Sequence, residues 1–158
     1  MVNPANFSNK TAAREYAFKF IYRLFLDDFS EEKDAIIAED AKYIEAIVEF
    51  EESYIKEDEE HIGNGLNPSI QNHGQKLIKG FLNEEKAILG TIEKSLNKRG
   101  LSSIGTIEKA VLSLGAYEIL FEDTPKKVVL NEYINLVKKF GTKESSSFVN
   151  GVLDKIQK

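Results

Sequence analysis

The chain has 158 residues and a formal net charge of −5, with 42% apolar and 30% charged residues and no cysteine. That length suits one domain spanning 1–158 or two tightly packed halves, and the composition excludes collagen-like, low-complexity, wholly disordered and disulfide- or thiolate-based classes. No window approaches the roughly 18 to 20 uninterrupted apolar residues of a membrane helix, and the first ten residues lack the apolar segment of a signal peptide, so a soluble cytoplasmic protein with no membrane partner is expected.

The first predicted element starts near Thr11 as N-cap. It carries Ala13, Tyr16, Ala17, Phe20, Ile21, Leu24 and Phe25 at i, i+3, i+4, i+7 spacing, one broad face of a helix ending at Asp27-Asp28. A second helix can open at Ser30 with acids in its first turn, and Ile37, Ala41, Ile44 and Val48 make a narrow apolar stripe. Its other faces are acidic: residues 27–60 hold fifteen acids and three bases, net −12, which leaves the other 124 residues at net +7. The mean charge therefore does not exclude nucleic acid as a partner of the remainder.

Residues 57–68 read as a loop, being dense in acids and turn formers. From Ser69 to about Asn97, Ile70, Leu77, Phe81, Ile88, Ile92 and Leu96 predict one long helix or two collinear ones, although Gly74, Gly80 and Gly90 each cost helicity about 1 kcal/mol relative to alanine. Further helices are predicted from about Ile104 to Phe121, from Pro125 to Gly141, and from Ser145 to about Ile156. No stretch alternates with period two, so the fold class is all-α with about six helices.

Catalytic chemistry has thin support. His61 and His73 stand twelve apart in no metal-binding spacing, and Glu57-Asp58-Glu59-Glu60 reads as a solvated segment. Gly63-Asn64-Gly65 lacks the preceding strand of a phosphate cradle. No enzyme activity, metal or cofactor is expected. One binding constellation does stand out: Lys10, Arg14, Phe18 and Tyr22 follow i, i+4, i+8, i+12, a slanted row beside the apolar face. Two cations leading into two aromatics suit single-stranded RNA, whose phosphates pair with cations and whose bases stack on rings. On composition alone the favoured reading is that Phe18 and Tyr22 widen the core stripe, the commoner use of aromatics at helical spacing, while Lys10 and Arg14 are ordinary surface cations. If Lys10, Arg14 and two further cations touch phosphates, the log–log salt slope of binding is about −3.

The last third carries Glu108-Lys109-Ala110-Val111-Leu112, Ala116-Tyr117-Glu118, Pro125-Lys126-Lys127-Val128, Asn131-Glu132, Lys139-Phe140-Gly141 and Phe148-Val149-Asn150-Gly151-Val152-Leu153-Asp154-Lys155. These closely resemble the NusB family of bacterial transcription antitermination factors, and Ala13-Arg14-Glu15 with Tyr22 resembles that family's first helix. The resemblance covers roughly residues 9–26 and 104–157. It implies an all-helical fold of two packed three-helix halves and a function without catalysis. Family members pair with ribosomal protein NusE, and the pair binds boxA RNA of ribosomal transcripts within the RNA polymerase antitermination complex. By position, the RNA-binding segment falls on Lys10 to Arg14, the aromatic RNA-side position on Tyr22, and NusE-facing positions on Glu108, Glu144 and Phe148. Two cations stand in the N-terminal run where several are usual, and Ser113 occupies a position that is often basic. The rival reading is a NusB-fold protein-binding scaffold or homodimer with weak or no RNA affinity. The sequence allows a monomer or a homodimer.

Overall fold

The computed structural model describes residues 4–26, 30–57, 67–97 and 100–158. Among them the chain forms eight α-helices and no strand: α1 Pro4–Phe25, α2 Ser30–Ala38, α3 Asp40–Glu57, α4 Pro68–Asn83, α5 Glu85–Lys94, α6 Thr106–Phe121, α7 Lys126–Phe140 and α8 Lys143–Lys155, with a 3-10 turn at Leu101–Ser103. Six predicted helices become eight because the second divides at Glu39 and the third at Glu84. The middle of the predicted loop, 58–66, with His61 and Gly63-Asn64-Gly65, lies outside the described residues.

Helix ends follow local chemistry. Asn67 accepts the Ser69 N–H at 2.8 Å, with Pro68 at the first position of α4, where its missing N–H costs nothing. Thr142 caps α8 by accepting the Ser145 N–H at 3.2 Å, and Gly141 closes α7 by donating its N–H to the Val137 carbonyl. Thr11 is not the predicted cap. It lies well inside α1, and its hydroxyl donates to Glu132 at 2.9 Å.

Every residue of α6 from Ala110 to Ile119 is buried, so this helix needs cover on all sides. It gets it from α1, α4 and α5 on one flank and from α7 and α8 on the other. The C-terminal half is therefore α6–α8. The other half is α1, α4 and α5, with α2 and α3 laid against α1. Two glycines in α4 allow close approach: a Cβ on Gly74 would lie 2.3 Å from Cδ1 of Tyr16, and one on Gly80 would lie 2.1 Å from Cζ of Tyr117. Their helix-propensity cost is offset by packing that no larger residue permits.

The predicted stripe on the second helix is corrected. Ile37, Ile44 and Val48 are 47%, 59% and 52% exposed, and Ala41 is exposed too. The face turned inward is Tyr43, Ala46, Ile47 and Phe50. Phe50 stands edge-on to Tyr16 at 5.2 Å and to Phe20 at 5.3 Å, and Tyr43 to Phe20 at 6.4 Å. Two aromatics bury far more area than the rival stripe, and the rings on α1 give them edge-to-face partners.

Tyr16, Tyr43, Tyr117 and Tyr133 are all buried. Burial raises all four phenol pKa values, reinforced by Glu51 at Tyr16 and Tyr43, Glu122 at Tyr117 and Glu118 at Tyr133. A phenol that stays neutral when folded but ionises near pH 10 when unfolded supports the fold fully below that pH, and the support is lost progressively as pH rises above it toward the raised folded pKa. Guanidinium unfolding followed from pH 8 upward should show stability falling beyond about pH 10. Constant stability from pH 9 to 11 would contradict the burial of these phenols.

Candidate nucleic-acid and protein interface

The row on α1 separates by depth. Lys10 is exposed and Tyr22 half-buried, whereas Arg14 is only 6% exposed and Phe18 only 3%. The expectation that Arg14 is a surface cation is overturned. Its Nε and Nη2 donate to the two oxygens of Glu118 at 2.8 and 2.9 Å, and Nη1 lies 3.4 Å from Glu132. Glu118 also accepts from Tyr133 at 2.5 Å and Thr124 at 3.1 Å. Desolvation alone would lower the Arg14 pKa, but the hydrogen bonds and charge of Glu118, with Tyr133 and Glu132, outweigh it and raise it. Arg14 is thus a fully ionised pin joining α1 to α6 and α7. Lys10, His73 and Lys76 line a small groove above that pin.

One helical turn further on, the rings gather. Phe18 lies 6.0 Å from Tyr22 and 5.2 Å from Phe140 of α7. Lys19 and Lys139 place their ammonium groups 5.6 and 5.4 Å from the Phe140 centroid, within cation–π range. An open groove of about 440 Å³ runs over this cluster, lined by Phe18, Lys19, Tyr22 and Arg23 of α1, Ile107 and Phe140, with Phe50 and Ser53 of α3 forming another wall. Rings on the floor and cations at the rim can stack a base and pair a phosphate, with Arg23 exchanging its 3.1 Å ion pair to Glu49 of α3 for the phosphate. Lys19, Arg23 and Phe140 are additions to the sequence-derived set. Lys19 and Arg23 follow Phe18 and Tyr22 directly and recur at i, i+4, a signal present in the sequence, whereas Phe140 reads as an ordinary core position of α7.

The three protein-facing candidates lie on α6 and α8. Glu108, half-buried in the first turn of α6, accepts a hydrogen bond from the Ser145 hydroxyl of α8, which joins those helix starts. Glu144 is exposed, and Phe148, one turn later on the same helix, is half-buried and packs against the core. Ile107, a wall of the aromatic groove, is the neighbour of Glu108. Ser113, at the often-basic position, is fully buried and donates to the Lys109 carbonyl. Among the described residues no three His, Cys, Asp or Glu side chains gather as a metal site, and no helix is long and apolar enough to cross a membrane.

The model of the NusB family matches residues 11–158. The chain belongs to the NusB family. A Transcription antitermination protein NusB of Thermodesulfovibrio yellowstonii is 31% identical over 147 residues, covering 92% of this chain and 89% of that one. The NusB of Campylobacter hominis is 43% identical over 83 residues, which are 52% of this chain and 63% of the relative's length. Among solved structures, T. maritima NusB superposes with a TM-score of 0.71 at 25% identity, over 99% of this chain and 92% of that one. A crystal structure of antitermination factors NusB and NusE in complex with dsRNA shares the fold, with a TM-score of 0.69 at 24% identity over 94% and 96% of the two chains.

Proposed function

We propose that this chain serves transcription antitermination as a non-catalytic cytoplasmic protein that binds single-stranded boxA-type RNA of ribosomal transcripts together with ribosomal protein NusE, within the RNA polymerase antitermination complex. The observation that carries the reading is the groove floored by Phe18, Tyr22 and Phe140 and rimmed by Lys19 and Arg23. The names of the relatives, Transcription antitermination protein NusB, support the process. In this reading Lys10, Lys19 and Arg23 meet phosphates, Tyr22 offers a stacking face, and Phe18 backs it from the core. Arg14 contributes by holding α1 in place. Glu108, Glu144 and Phe148 face NusE.

Fluorescence titration of a boxA RNA oligonucleotide with NusE present tests this. Tyr22→Ala should weaken binding by about 1 to 3 kcal/mol, the range for one base–aromatic stack. With three phosphate contacts, Arg14 no longer counting, the log–log salt slope should be about −2. Phe148→Ala should weaken NusE binding by about 2 kcal/mol if that ring anchors the interface. Unchanged RNA affinity in both Tyr22→Ala and a Lys10, Lys19, Arg23 triple alanine variant would overturn the RNA face. The withdrawal of Arg14 from the surface favours the second reading, a protein-binding scaffold or homodimer, which predicts normal NusE binding with no measurable RNA affinity.

A further inference from the structure

α3 has two apolar faces, and only one is covered. At about 100° per residue, Ala41, Ile44 and Val48 centre about 140° away from Tyr43, Ala46, Ile47 and Phe50. The second set is buried against α1, whereas Ile44 and Val48 are the two most exposed large apolar side chains among the described residues. Ile37, on α2 just before, is exposed as well. Glu45 and Glu52 border this outer stripe on one side and Asp40 on the other, all exposed. Lys42 lies 3.7 Å from Glu45.

The pairing of an apolar stripe with acidic margins selects its occupant. RNA and anionic lipid surfaces are repelled by the exposed carboxylates of Asp40, Glu45 and Glu52 that flank this face. A second copy of the same face would set carboxylates against carboxylates. A helix with an apolar stripe and lysine or arginine beside it matches both features, the stripe by burial and the margins by charge. We infer that the outer face of α3 docks a cationic amphipathic helix of a partner protein, through Ala41, Ile44 and Val48 with Glu45, Glu52 and Asp40 as flanking carboxylates. This surface is separate from the aromatic groove and from Glu108, Glu144 and Phe148, so RNA and this partner need not compete.

The probe is a 14-residue helical peptide of leucine, lysine and alanine, with leucine at i, i+4, i+7 and i+11 and lysine alongside, titrated into the full chain by fluorescence anisotropy. A scrambled peptide of identical composition is the control. The designed peptide should bind at least about tenfold more tightly than the scrambled one, and the Ile44→Ser/Val48→Ser variant should lose at least about tenfold, as truncating central anchors does. Glu45→Gln/Glu52→Gln should weaken binding and flatten its salt dependence. Both variants should melt with the wild type, since each residue is exposed. Equal binding of the scrambled peptide, or unchanged binding in Ile44→Ser/Val48→Ser, overturns the inference. So does self-association of the wild type that this variant abolishes, because the occupant is then a second copy.

Discussion

Arg14→Ala should lower the melting temperature by roughly 6 to 20 °C, since breaking a buried ion pair costs about 3 to 5 kcal/mol and each kcal/mol moves a domain of this size by about 2 to 4 °C. The loss comes chiefly from Glu118, 2% exposed, which would lose its guanidinium partner and be left with only Tyr133 and Thr124 as donors. Arg14→Met combined with Glu118→Gln should regain at least about 1 kcal/mol over the single variant, because no buried carboxyl is left without its ion-pair partner while an amide oxygen still accepts from Tyr133. Scanning calorimetry decides it. A single variant melting within 2 °C of the wild type would mean that Arg14 is the surface cation its helical position first suggests. The same cost makes Arg14→Ala unsuitable for locating RNA contacts, a task that falls to Lys10, Lys19, Arg23 and Tyr22.

Gly74→Val should cost about 3 kcal/mol or more, the upper end of overpacking penalties. The new Cβ would fall 2.3 Å from Cδ1 of Tyr16, a fully buried ring whose hydroxyl donates to Glu51 at 2.7 Å. The ring cannot turn aside without breaking that bond and moving off Phe50, so α1 and α4 must separate instead. Gly90→Val is the control: its Cβ meets nothing within 4 Å, and only the modest helix-propensity difference remains. Chemical denaturation showing the two variants equally stable would contradict the close approach of α1 and α4.

The helices of the C-terminal half were legible because their signals are local. Pro125, Gly141 and the 3.6-residue spacing of Val129, Tyr133, Leu136 and Val137 bound and orient α7 with no knowledge of its neighbours. The NusB resemblance was legible for a related reason, since its strings lie in those same helices. Arg14 was misread because nothing within a turn of it reveals Glu118 and Glu132, which approach only through the tertiary fold. The inward face of α3 was misread because Ile37, Ala41, Ile44 and Val48 satisfy helical spacing as well as Tyr43, Ala46, Ile47 and Phe50 do. Only the rings of Tyr16 and Phe20 choose between them. The groove was half legible: Tyr22 and Phe18 stood out, but Phe140 joins them from a helix over a hundred residues away.

The pin between α1 and α6 also imposes an order of events on a chain made from its N-terminus. Arg14 leaves the ribosome 104 residues ahead of Glu118, an interval of about 5 to 20 s at common bacterial elongation rates. Through that interval the guanidinium stays hydrated, and α1 can meet α4 but cannot be locked. Closure comes only when α6 and α7 arrive, so in a chain being made Arg14 acts late, as a latch.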